Sequence, residues 1–157
     1  MTDDELLDLY ERTVDDLFRY ASRLAGGDRT MAEEIVQDTY LAVLRRIRGG
    51  DAETVDIGWL IVSCRHRFLD RLKAERRSKR REVLAGSTER DDAPGGRAVD
   101  ALAALSAEHR AALVLRYVDE LPVREVARAM RRSEHATESL LVRARAALRA
   151  VLTQEGS

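Results

Sequence analysis

The sequence predicts an all-α chain of two small helical domains, residues 1–82 and 99–157, joined by a flexible acidic linker over 83–98, the second domain closing in a helix-turn-helix. Three observations lead there. Apolar residues recur at steps of three and four in segment after segment, while none sustains the period-two alternation of a strand. Gly26-Gly27 and Gly49-Gly50 fall where two such segments end, as helix stops do. From about Val83 the periodicity fails, and Ala85-Gly86-Ser87-Thr88-Glu89-Arg90-Asp91-Asp92-Ala93-Pro94-Gly95-Gly96 has the composition of a linker.

In the first segment Leu6, Tyr10, Val14 with Leu17, Ala21 and Leu24 form the expected inward stripe. Asp28 or Thr30 caps the second, Thr30 and Glu33 making a capping-box pattern, and Ala32, Ile35, Thr39 (or Val36), Val43 and Ile47 face inward. Asp56 caps a third helix with Ile57, Leu60, Cys64, Phe68 and Leu72 inward and a basic C-terminal run. Beyond the linker a short helix carries Val99, Leu102 and Leu105, and another runs from Ser106 to about Val118. After a turn at Asp119 to Leu121, Pro122 opens a helix ending near Met130, proline being suited to a first helical turn. Ser133 caps the last helix, whose inward stripe is Thr137, Leu141, Ala144, Leu148 and Val151. Two helices joined by so short a turn point to helix-turn-helix.

Hydrophobic residues make up 45% of the 157 and charged residues 35%, enough apolar matter for cores beneath a heavily charged surface. The start Met1-Thr2-Asp3-Asp4-Glu5 lacks a signal peptide's basic opening, and no apolar run nears the roughly 20 residues of a membrane span. A cytoplasmic protein without membrane insertion is expected. The single cysteine, Cys64, excludes an intrachain disulfide, and its place on the buried stripe makes it an inert core thiol. His66, His109 and His135 are scattered without ligand spacing, so no metal and no cofactor are expected. The carboxylates suit helix first turns and solvated faces, and no Ser-His-Asp set, glycine-rich phosphate loop or H-E-x-x-H points to an enzyme.

Net charge is −1, but its distribution says more. Residues 1–44 hold 11 acids against 4 bases, and residues 65–82 hold 9 bases against 3 acids. Residues 83–109 are again acidic, and residues 110–157 carry 9 bases against 6 acids. Two separate basic patches suggest two contacts with a polyanion.

Ala32-Glu33-Glu34-Ile35-Val36-Gln37-Asp38-Thr39-Tyr40-Leu41 is similar to a helix usually read A-E-D-L-V-Q-E-T-F-L, and Trp59-Leu60, Arg65, Asp70 and Leu72 match W-L-x-x-x-x-R-x-x-x-x-D-x-L. Further on come Ala104-Leu105-Ser106-Ala107-Glu108-His109-Arg110, Leu115-Arg116-Tyr117 and Arg143-Ala144-Arg145-Ala146-Ala147-Leu148. In this order and spacing the motifs resemble the extracytoplasmic-function (ECF) sigma factors of RNA polymerase, across both domains and leaving out only linker and tails.

The resemblance implies a non-enzymatic protein that lends promoter recognition to core RNA polymerase and leaves room for an anti-sigma partner. Gln37, Asp38 and Leu41 would dock on the β′ clamp helices. The third helix would read and help melt promoter DNA at the minus-ten element through Trp59, Arg65, His66, Lys73, Arg76 and Arg77, which supply a stacking ring and phosphate neutralisation. The Gly49–Asp56 loop sits where the family captures a flipped base. The last helix would enter the major groove of the minus-thirty-five element with Arg132, Ser133, His135, Glu138, Ser139 and Arg143. The acidic linker would thread toward the RNA exit path.

Each feature has a plainer reading. Trp59 also suits simple packing, and Arg76 to Arg81 also suit a solvated helix end meeting the dipole. The reading helix departs from the family's L-G-I-S-V-G-T-V-K-S-R-L-H-R-A-R, with Glu138 and Leu140 at two usually cationic positions and Arg131 and Arg132 moving charge into the turn. Two alternatives therefore stand beside a sigma factor: a stand-alone helix-turn-helix regulator, and a sigma-like interaction module that no longer reads promoters.

Overall fold

The computed structural model describes residues 2–50, 55–79 and 97–155, with the side chains of 76–79, 97–99 and 155 outside that description. Among these residues the chain forms α1 (Asp3–Ala25), α2 (Arg29–Arg48), α3 (Ile57–Lys79), α4 (Arg97–Ala103), α5 (Ala107–Leu113) running into a π-helical turn (Val114–Val118), α6 (Val123–Met130) and α7 (Glu134–Glu155). None is a strand. Most of the expected linker lies outside the described residues, and α4 begins inside its expected span, at Arg97.

Helices α1, α2 and α3 pack on one another as a three-helix bundle. Thr2 caps α1 in a reciprocal box with Glu5, its hydroxyl accepting from the Glu5 amide at 3.2 Å while the Glu5 carboxylate accepts from the Thr2 amide at 3.0 Å. The buried stripe of α1 is Leu9, Thr13, Leu17, Tyr20, Ala21 and Leu24 rather than the expected Leu6-Tyr10-Val14 line, and Tyr10 stays 44% exposed. Both lines obey helical spacing and differ by about one residue of rotation, so periodicity alone cannot separate them. Thr13 can enter the core because its hydroxyl donates to the Leu9 carbonyl at 2.6 Å. Tyr10 instead stacks edge-on against Tyr40, ring centroids 4.9 Å apart.

Asp28, not Thr30, caps α2, accepting from the Met31 amide at 3.1 Å, and Thr30 lies inside the helix. Ala32, Ile35, Val36, Thr39 and Val43 are buried as expected. On α3 the Asp56 carboxylate accepts from the Trp59 amide at 2.9 Å, and Leu60, Cys64, Phe68 and Leu72 are buried, whereas Ile57 in the first turn is 41% exposed.

In the second half, α5 and α6 both pack on α7, and Ser106 and Ser133 cap α5 and α7 with side-chain oxygens. Pro122 stands one place earlier than expected, as the extended residue before α6 (ψ 156°). Leu140, at a position usually cationic in the resembling motif and outside the expected inward stripe, is buried alongside Leu141.

The halves are not separate beads. Helix α1 touches α4 and α5, α3 touches α5, and one apolar cluster runs from Leu17 and Leu24 through Leu69 and Leu72 to Val114, Val126 and Leu141. Arg110, 8% exposed, reaches across and donates from Nε to the Leu24 carbonyl at 2.7 Å, at the C-terminus of α1. Gly26 allows this approach. It caps α1 in the left-handed region (φ 63°), and a Cβ there would lie 2.5 Å from Arg110 Nη1.

Candidate nucleic-acid and polymerase interfaces

The basic face of α3 is partly engaged inside the molecule. Trp59 is half-buried against the core, with the Arg46 guanidinium 5.4 Å from its ring centroid. His66 is exposed and Lys73 half-buried. Arg65 is 14% exposed and pairs through Nη2 with the Asp119 carboxylate at 3.2 Å. The Tyr20 hydroxyl joins them, donating to Asp119 at 2.7 Å and accepting from Arg65 Nε at 3.4 Å. Burial opposes the Arg65 charge, but Tyr20 and Asp119 outweigh it and hold the guanidinium above its ordinary pKa. Burial and the Asp119 contact likewise raise Tyr20. The side chains of Arg76 and Arg77, and loop residues 51–54, lie outside the described residues.

Arg65, His66 and Lys73 of α3 line a cleft of about 450 Å³ opposite Glu125, Arg128 and Arg131. Gln37 and Leu41 are exposed one turn apart on α2, Leu41 by 47%. Asp38 beside them is bound by Arg71, which also holds Glu34, at 3.1 and 2.7 Å. The hydrogen bond to Glu34 leads in raising the Arg71 pKa. The three expected docking residues therefore share a solvent-facing ridge whose carboxylate is braced from α3.

Helix α7 presents His135, Glu138, Ser139, Val142 and Arg143 to solvent while Thr137, Leu140, Leu141 and Ala144 are buried. Leu140 thus removes no cation from the exposed face; it fills the core. Arg132 is not free in the turn, because its Nη2 pairs with Glu108 on α5 at 2.8 Å. Ser133 spends its hydroxyl on the Ala136 amide at 3.0 Å. Arg131 is exposed and adopts a left-handed conformation (φ 52°) at the end of α6.

Sequence reasoning missed Tyr20, Arg110 and Asp119. Asp119 reads as a turn residue, and nothing local announces that its partners lie on α1 and α3.

Two family models match this chain, "Sigma-70 region 2" over residues 9–78 and "Sigma-70, region 4" over residues 96–148. Together they take in most of it. The chain belongs to the ECF RNA polymerase sigma factors. It is 33% identical to the ECF RNA polymerase sigma factor SigL of Mycobacterium tuberculosis over 94% of this chain and 89% of that protein. It is 31% identical to the ECF sigma factor BldN of Streptomyces coelicolor, over 87% of this chain and 56% of the other. The solved sigma factor RpoE of Bartonella quintana, in complex with the anti-sigma factor NepR, shares the fold at a TM-score of 0.63 and 19% identity, covering 95% of this chain and 97% of that one. In this sigma factor α1 to α3 form region 2 and α4 to α7 region 4. Among the described residues no helix is long and apolar enough to cross a membrane.

Proposed function

We propose that this sigma factor docks on core RNA polymerase through Gln37, Asp38 and Leu41, engages the minus-ten element with α3, and reads the minus-thirty-five element with the outward face of α7. It supplies recognition and leaves catalysis to the polymerase, in the cytoplasm where both act. An anti-sigma factor completes its partners, on the precedent of the Bartonella complex.

The observation that carries this reading is the face of α7. Five outward positions, His135, Glu138, Ser139, Val142 and Arg143, stand clear of the core along one face of the second helix of a helix-turn-helix, the geometry that fits a major groove. Glu138 accepts a hydrogen bond from a cytosine amino group in such a groove, and Arg143 supplies phosphate attraction. Run-off transcription with purified core enzyme on promoter fragments tests it. Specific transcripts appear only when the sigma factor is added, and Asp38→Arg weakens core binding in a pull-down while its circular dichroism is unchanged. No specific transcript despite intact core binding overturns promoter reading. That result would favour the interaction-module reading, to which Glu138 and the Arg132–Glu108 pair lend weight.

A further inference from the structure

We propose that Arg71 of α3 is a positioning residue for polymerase docking: by holding Glu34 and Asp38 together, it fixes the Asp38 carboxylate in the orientation that a cation on the core enzyme meets. The proposal rests on the reading of Gln37, Asp38 and Leu41 as the docking ridge. It adds a residue that the sequence motifs leave without a role, since position 71 is the unspecified one in D-x-L.

Glu34 and Asp38 stand one turn apart on α2, a spacing at which like charges repel. Arg71 offsets that repulsion from the neighbouring helix. Its terminal nitrogens divide between the two, Nη1 donating to Glu34 Oε2 at 2.7 Å and Nη2 to Asp38 Oδ2 at 3.1 Å. Because a guanidinium is planar and rigid, a carboxylate on each of its two nitrogens has its placement set by the other, which the single ammonium of a lysine does only loosely. Asp38 spends Oδ2 on this contact, and with its side chain still 48% exposed it keeps Oδ1 for a partner.

Magnitudes separate this role from a purely structural one. Ion pairs as exposed as these add little to folding stability. Their larger effect is on order: a carboxylate already fixed at a docking surface loses less freedom when its partner arrives. The helix that supplies Arg71 has a second task on another face. Arg71 and Lys73 are two residues apart, about 200° around the helix, so α3 turns Lys73 to the cleft opposite α6 and Arg71 to the docking ridge.

The test uses the full chain as wild type, Arg71→Ala, Arg71→Lys, Asp38→Asn, and Arg71→Ala combined with Asp38→Asn, each checked for folding by circular dichroism. A fluorescently labelled sigma factor is titrated with core RNA polymerase. Arg71→Ala should weaken core binding about fivefold, the upper end for an exposed ion pair, and Arg71→Lys should recover part of the loss. In the Asp38→Asn background the same Arg71→Ala step should change affinity hardly at all, because the residue through which Arg71 acts is gone. An arginine that only supports the fold would cost as much in either background, and that result overturns the proposal. Tighter binding by Arg71→Ala overturns it too, since Arg71 would then compete with the core enzyme for Asp38. A loss in Asp38→Asn with none in Arg71→Ala defeats the positioning role and leaves the docking ridge standing. Unchanged core affinity in Asp38→Asn itself defeats the docking reading, and the proposal with it.

Discussion

Cys64 is fully buried on α3, and burial pushes its thiol up to about 12 from an ordinary value of 9.0. The folded thiol stays neutral where the unfolded one ionises, so the unfolded chain binds fewer protons above pH 9 and stability falls as pH rises. The slope reaches at most about 1.4 kcal/mol per pH unit between pH 9 and 12, and Tyr20, also raised, adds to it from pH 10. Urea titrations at pH 8 and pH 10.5 should show this loss, and Cys64→Ala should reduce the difference between them. Arg131 illustrates a different residue-scale conflict. It holds φ 52° at a helix end where glycine is at ease, while contributing charge to the turn. Arg131→Gly should therefore stabilise the protein by about 1 kcal/mol, raising its melting temperature by a few degrees in a thermal scan.

At the scale of elements, α7 serves two masters at once. Its inner side, from Thr137 through Leu140 and Leu141 to Ala144, packs on α5 and α6, and its outer side is left to recognition. The outer side was legible in the sequence because the 3.6-residue period places His135, Glu138, Ser139, Val142 and Arg143 opposite the apolar stripe. The burial of Leu140 was not, since it sits at the border of that stripe, where packing partners decide. Glu138→Ala should relax the minus-thirty-five preference, an individual base contact being worth about 1 to 3 kcal/mol, whereas Arg143→Ala should weaken all sites alike. A promoter library scored with each variant distinguishes these outcomes, and an unchanged preference in Glu138→Ala assigns the face to another use. The same border problem displaced the α1 stripe, where Thr13 took a core place that apolar counting assigned to its neighbours.

For the whole molecule, an apolar cluster continuous across both regions predicts cooperative unfolding. Calorimetry of the wild type should show one transition with equal calorimetric and van't Hoff enthalpies, and Asp119→Ala should split it into two. Two transitions already in wild type would mean that the regions fold independently. The amino-acid sequence by itself determined the helical class, the order and ends of most helices, the two basic patches and the family, because period, caps and glycine stops act over a few residues and motif spacing survives along the chain. Tertiary structure alone decided how the regions meet. Arg110 on Leu24, Tyr20 on Asp119 and Asp119 on Arg65 join positions far apart in sequence. A carboxylate in a turn carries no local mark of the cation it will find, so Arg65 looked like a free phosphate ligand until the fold set Asp119 against it.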